Sequence, residues 1–203
     1  MIRTQRVPTK RWTRAQYEKA IECGIFREDE RLELLDGVLV VKEPQSEPHF
    51  VGIDLVALAL RRAFGEGWLV RQQGHFAAGR RSRPEPDVYV VAGSPRDYLR
   101  AAPTRPALIV EVSQSRLAFD RGRKSALYAR RGIQDYWIVN LVDRVLEVRR
   151  DPGRFAPPLR GRGYRAIETL RPPAAIAPLA LPHAPEPRRV SRRARYVRTA
   201  IPT

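Results

Sequence analysis

At 203 residues with 43% hydrophobic side chains, the chain is long enough to bury one core and is not a wholly disordered sequence. A single cysteine, Cys23, excludes an internal disulfide and a cysteine-based zinc cluster, and the three scattered histidines lack zinc-ligand spacing. Thirty-eight basic against twenty-two acidic residues give a formal net charge of +16, which favours a polyanionic partner, although an arginine-rich composition alone supplies part of it.

In chain order, the amino-terminal residues 1–6 lead into no apolar run of signal-peptide length, and the longest apolar stretch, residues 53–60, is too short for a bilayer. These features predict a soluble, cytoplasmic protein with no membrane partner. Thr13-Arg-Ala-Gln16 has capping-box spacing, so a helix is predicted through about Glu22, ending near Gly24. Asp36-Gly37 between the apolar runs 31–35 and 38–41 predicts a tight hairpin with both turn residues at positive φ. Alternation in its first strand puts Leu32 and Leu34 on one face and Glu33 on the other. Ile53, Val56, Ala57, Leu60 and Phe64 recur at helical steps, which predicts a helix from Pro48 to Phe64 closed by Gly65. Residues 68–73 and 75–78 are predicted as strands interrupted at Gly74, followed by a polar loop carrying Arg80, Arg81 and Arg83.

Two apolar runs, residues 87–91 and 107–112, have the composition of central strands. A helix over residues 120–131, stopped by Gly132, precedes a strand at 136–139, its partner at 145–149 and an edge strand at 164–169. This order predicts an α/β fold, a mixed sheet flanked by helices. Six prolines within residues 172–187 predict an extended wrap that completes a single domain over residues 1–187. Residues 188–203 add six arginines and no acid, a flexible basic arm or simply a solvated end, and leave +10 on the body.

Three charged residues stand where apolar ones are expected. Glu111 interrupts a run suited to a buried strand, and an unpaired carboxylate there is costly. It is a metal ligand, one half of a buried ion pair, or a residue on an edge-strand face open to water. Asp87 opens the neighbouring strand after Pro84-Glu-Pro86, an ordinary loop junction by itself but a second hard oxygen donor when paired with Glu111. Lys124 shares a helical stripe with Leu127 and Tyr128, where its stem can snorkel or its ammonium can face the carboxylates. Together, two carboxylates for a divalent ion and one cation to offset developing charge form a set suited to phosphodiester hydrolysis. Arg121 and Arg123, on the same helical turn as Lys124, are expected to be solvated or to touch phosphate.

The segments Arg31-Leu-Glu-Leu-Leu-Asp-Gly37, Pro48-His49, Pro84-Glu-Pro-Asp-Val-Tyr-Val90, Ile109-Val-Glu-Val-Ser113, Asp120-Arg-Gly-Arg-Lys-Ser-Ala-Leu-Tyr-Ala129 and Gly132-Ile-Gln-Asp-Tyr-Trp-Ile138 together resemble the Uma-two family of the PD-(D/E)XK nuclease superfamily. The resemblance spans residues 12–181 and rests on the order and spacing of the segments. It implies a restriction-endonuclease-like core and Mg²⁺-dependent cleavage of DNA, with Mn²⁺ as a substitute. Under it, Asp87 and Glu111 match the metal-binding acids, with the Val112 carbonyl as an added ligand. Lys124 matches a lysine moved from the strand to the following helix, which leaves Ser113 at the usual strand position. Glu33 matches an accompanying acid of the site, and His49 a family histidine that the residues alone explain as a cap or packing group. Arg80, Arg81, Arg83, Arg121 and Arg123 would be the nucleic-acid contacts, and a homodimer would suit cleavage of both strands. Ser113-Gln-Ser115 departs from the Ser-Pro-Ser loop common in relatives. The alternative reading is a nucleic-acid-binding or partner-binding protein that keeps the fold without catalysis.

Overall fold

A computed structural model describes residues 9–27, 29–42, 44–155, 161–181 and 197–198. Helix α1 (Arg14–Glu22) begins at the expected capping box: the Gln16 amide N–H bonds the Thr13 hydroxyl, and the Thr13 N–H bonds the Gln16 side chain. The hairpin β1 (Leu32–Leu35) and β2 (Val38–Val41) turns through Asp36 and Gly37, at φ of 52° and 80°. A side chain at Gly37 would place its Cβ 2.7 Å from that of Arg11, so this turn requires glycine twice over.

The centre of the molecule is a six-stranded mixed sheet, with helices on both faces. In spatial order it contains β3 (Trp68–Gln72), β4 (Val88–Ala92), β5 (Leu108–Ser113), β6 (Asp135–Asn140), β7 (Val145–Phe155) and β8 (Gly161–Leu170). Only β5 and β6 run parallel, and a parallel pair requires a crossover element. Here it is a helix in three parts: α3 (Leu117–Phe119), a π-helical segment (Asp120–Lys124) and α4 (Ser125–Arg130).

Side chains alternate between two cores along each strand. On one face, Val88, Val90, Leu108, Val110 and Val112 pack under α2 (Glu47–Phe64) with Ile53, Val56, Ala57 and Leu60. On the other, Tyr89, Val91, Ile109, Tyr136 and Ile138 pack against Leu127, Tyr128 and the hairpin residue Leu35. Asp87 and Glu111 have the parity of this second face, the face covered by the crossover helix.

Two expectations change. Residues 75–78 form no strand. Phe76 and Ala78 are buried, but the amides of Phe76, Ala77 and Ala78 bond to Pro84, Pro103 and Ser82 in separate loops. Alternation there reflects burial without a partner strand. The crossover helix begins at Leu117 rather than at 120 and carries a π turn, in which the Ser125 amide bonds Asp120 O five residues back.

The described part of the proline-rich wrap lies along the sheet. The Leu179 amide and the Arg150 guanidinium both bond the Asp135 carboxylate, and Leu181 joins the first core. Ala175–Ile176 (β9) pairs antiparallel with Val197–Arg198 (β10). Residues 182–196 and 199–203, which hold the rest of the wrap and of the expected basic arm, lie outside the described residues. No helix among the described residues is long and apolar enough to cross a membrane.

Candidate functional site

Proline placement creates the site. Strand β4 begins at Val88, opposite Val110, so continuing the register sets Asp87 across from Glu111 and Pro86 across from Val112. Asp87 fills the gap with its side chain: Oδ2 accepts the Val112 amide at 2.8 Å. The same oxygen lies 3.2 Å from His49 Nε2, in the first turn of α2. In an extended strand the N–H and C=O of one residue point the same way. The Val112 carbonyl therefore faces the Asp87 side of β5, whereas the neighbouring Ser113 carbonyl faces β6 and accepts from Leu141.

Glu111 is 2% exposed. Its Oε1 accepts the Tyr128 hydroxyl at 2.7 Å and lies 3.0 Å from Lys124 Nζ. That ammonium is also 3.7 Å from Glu33 Oε1 and 3.8 Å from Asp120 Oδ1. Glu33 reaches in from β1, and its Oε2 accepts the Glu85 amide. The four carboxylates, Lys124, His49 and the Val112–Arg116 segment line a cleft of about 210 Å³, to which Lys42 and residues 44–46 also contribute.

The electrostatics follow from four acids around one ammonium. Burial, helped by the charges of Asp87, Asp120 and Glu33, outweighs Lys124 and pushes the Glu111 carboxyl up to about 8. Burial raises Asp120 as well, against the pull of Lys124. Burial lowers the Lys124 pKa, but Glu111, Glu33, Asp120 and Asp87 outweigh it and hold the value well above that of an ordinary lysine. Asp87 goes the other way. Burial opposes its charge, yet the His49 hydrogen bond, Lys124 and the Val112 amide keep it below the usual carboxylate range. The cluster thus holds protons on Lys124 and Glu111 and leaves Asp87 ionised, a separation of roles between neighbouring carboxyls.

Asp87, Glu111, Lys124 and Glu33, singled out in the sequence, meet in this one cleft, and His49 joins them. Asp120 and Tyr128 also line the cluster, although the helical stripe in the sequence predicts Tyr128 only as an inward-facing packing residue and gives Asp120 no role. The signal was present: Asp120, Lys124 and Tyr128 recur every four residues, along one face of the helix.

The five arginines expected at nucleic acid divide. Arg121 makes a two-pronged pair with the Glu147 carboxylate, its Nε 2.9 Å from Oε1. Arg83 lies over the Tyr17 ring, bonds His75 and approaches Glu18. Both guanidinium groups therefore have partners within the fold, although the Arg121 side chain stays 43% exposed. Arg80, Arg81 and Arg123 instead line a second, open groove beside the hairpin.

A family model described as "Putative restriction endonuclease", Uma2, matches residues 14–185. Among solved structures, a "putative nuclease belonging to DUF820" from Anabaena variabilis superposes with a TM-score of 0.58 at 16% identity, covering 81% of this chain and 88% of that one. At that identity the likeness is one of fold. No curated protein matches the chain.

Proposed function

The chain belongs to the Uma2 family, and from that membership and the geometry of its cleft we propose that it is a divalent-metal-dependent endonuclease cleaving phosphodiester bonds in DNA. The observation that carries the reading is the buried pair Asp87 and Glu111 with Lys124 in the same cleft, 3.0 Å from Glu111. This set fits the PD-(D/E)XK pattern with the lysine supplied by the crossover helix.

The residues suit a hard cation. Four carboxyl groups line the cleft with Lys124, and Asp87 stays ionised, so hard oxygen donors for a divalent ion are at hand. Among the described residues, no three His, Cys, Asp or Glu side chains stand as a ready ligand group. A site drawing on the Asp87 and Glu111 carboxylates, the Val112 carbonyl and water matches the habits of Mg²⁺, and Mn²⁺ accepts the same donors. Such an ion supplies Lewis acidity toward a phosphoryl oxygen and toward water.

The chain's own groups do the rest. Asp87, kept ionised by His49 and the Val112 amide, provides a fixed negative oxygen at the β4 end. Lys124 keeps its proton, and its ammonium is held within the cleft by Glu111, Glu33 and Asp120, from where it would offset charge gained by a phosphoryl group. Tyr128 fixes the Glu111 rotamer through its hydroxyl, and Glu33 limits the travel of Lys124 from the opposite side. Residues 44–46 and 114–116 form the rim through which a strand would enter.

The test is plasmid cleavage by purified protein with Mg²⁺ or Mn²⁺, with chelator, and with Glu111→Gln. Nicking or linearisation that chelator stops and Glu111→Gln abolishes, with DNA affinity retained, is the expected result. Native protein that only retards DNA in a gel, at every metal concentration, would replace this reading with a non-catalytic binder.

A further inference from the structure

Beside the carboxylate cleft, and not part of it, is a groove lined by Arg11, Arg80, Arg81, Arg123, Arg130 and Arg131, with Asp36 as its acid. We infer that this groove binds consecutive phosphates of the same nucleic-acid strand whose scissile phosphate enters the carboxylate cleft. The inference rests on the nuclease reading only for the continuity of the strand; the groove's anion chemistry stands by itself.

The six arginines are not equivalent. Arg130 pairs with the Asp36 carboxylate, Arg11 donates to the Asp36 carbonyl at 2.9 Å, and Arg123 donates to the Leu35 carbonyl at 2.9 Å. These three tie the hairpin to its neighbours. Among the described residues, Arg80, Arg81 and Arg131 have no acidic partner, and Arg80 and Arg81 are held at the backbone. The Arg80 carbonyl accepts from Arg14, the Arg81 carbonyl from Gly37, and the Arg131 guanidinium lies flat over Gly79. A loop pinned by its main chain that leaves guanidinium groups unpaired presents anion-binding side chains from a backbone already ordered.

The groove connects to the cleft along three routes. Strand β1 runs from Glu33 in the cleft to Leu35 and the turn at Asp36, about 10 Å at 3.3 Å per residue. The helix runs from Lys124 in the cleft to Arg131, about 10 Å at 1.5 Å per residue. Between them, the Phe119 ring has the Arg116 guanidinium 5.5 Å from its centroid and that of Arg123 6.0 Å away. Arg116 lines the cleft rim and Arg123 lines the groove. The two guanidinium groups flanking Phe119 place positive charge between the cleft and the groove. A separation of about 10 Å is one that a continuous strand, rising about 3.4 Å of axis per phosphate, spans within a few phosphates.

The experiment uses full-length Glu111→Gln protein, in chelator, with a fluorescent 20-base-pair duplex and the corresponding single strand. Affinity is measured from 50 to 200 mM salt with and without Arg80→Ala, Arg81→Ala and Arg131→Ala combined. Loss of three contacts lowers the salt slope by about 2.7 on duplex and 2.1 on single strand. The parent should therefore lose about 40-fold more affinity than the triple variant over that range on duplex, and about 20-fold more on single strand. The corresponding three lysine substitutions should keep most of the slope, which separates lost charge from misfolding. An unchanged slope in the alanine variant, with cleavage intact when Glu111 is restored, overturns the groove and leaves the nuclease reading standing. A flattened slope in a native protein that never cleaves supports the groove and removes the enzyme. Tighter groove-dependent binding of poly-glutamate than of DNA overturns the nucleic-acid assignment in favour of an acidic protein partner.

Discussion

Lys124→Met tests the cleft most directly, because it removes one ammonium and leaves an unbranched apolar stem of similar length. The side chain is 8% exposed and faces carboxylate oxygens at 3.0, 3.7 and 3.8 Å. Deleting one member of a buried pair costs about 3–5 kcal/mol net, a large share of a typical domain's 5–15 kcal/mol. The pH dependence has a defined sign. Glu111 and Asp120 are carboxyls raised in the folded state, so the stability they contribute is present below their unfolded pKa and lost as pH rises through the folded value, about 8 for Glu111. Removing Lys124 raises both further. Native and variant proteins should therefore lie closest near pH 5 and diverge toward pH 8.5. Urea titrations followed by tryptophan fluorescence in chelator at pH 5, 7 and 8.5 measure this, and Mn²⁺ should stabilise the variant more than the native protein. A deficit below about 1 kcal/mol, or one equal at all three pH values, would mean that the ammonium does not balance these carboxylates.

Three further outcomes are expected. Tyr128→Phe removes the donor 2.7 Å from Glu111 Oε1 and should cost about 1–3 kcal/mol in chemical denaturation; a neutral result would mean the hydroxyl does not hold Glu111. Burial opposes the charge on Glu147, but hydrogen bonds from Arg121, Arg149 and Asn140 keep its carboxyl below the ordinary value, so its contribution is present above the unfolded pKa and lost as pH falls through the folded one. Glu147→Gln should accordingly lower the melting temperature at pH 7 and much less near pH 3, and an equal loss at both would contradict the pairing with Arg121. Gly37→Ala combines a φ of 80° with a Cβ 2.9 Å from the Trp12 carbonyl, and should cost roughly 1–3 kcal/mol by circular-dichroism melting.

The local devices of this chain are legible because each depends on a few consecutive residues. The Thr13–Gln16 cap, the Asp36-Gly37 turn and the apolar stripe of α2 all follow from spacing within one or two turns of chain. The odd placements of Asp87, Glu111 and Lys124 are likewise visible, since a charge in an apolar run stands out without any knowledge of its neighbours. Why they share a cleft is a matter of register. Pairing Val88 with Val110 gives Asp87 and Glu111 the same parity, and a slip of one residue would have put them on opposite faces of the sheet.

The fate of the arginines was decided only by tertiary contacts. Arg121 and Arg123 are two residues apart, yet one meets Glu147 from β7 and the other a hairpin carbonyl. Arg81 and Arg83 share a loop, but only Arg83 finds Tyr17 and His75. The π turn that sets Asp120 beneath Lys124 has no local signature either, and alternation at residues 75–78 foretold a strand that found no partner. Periodicity records which side of an element is buried, and a sequence carries it in its nearest neighbours. Which ion meets which counter-ion depends on groups up to 94 positions apart, as between Arg130 and Asp36, and that pairing exists only once the chain has closed on itself.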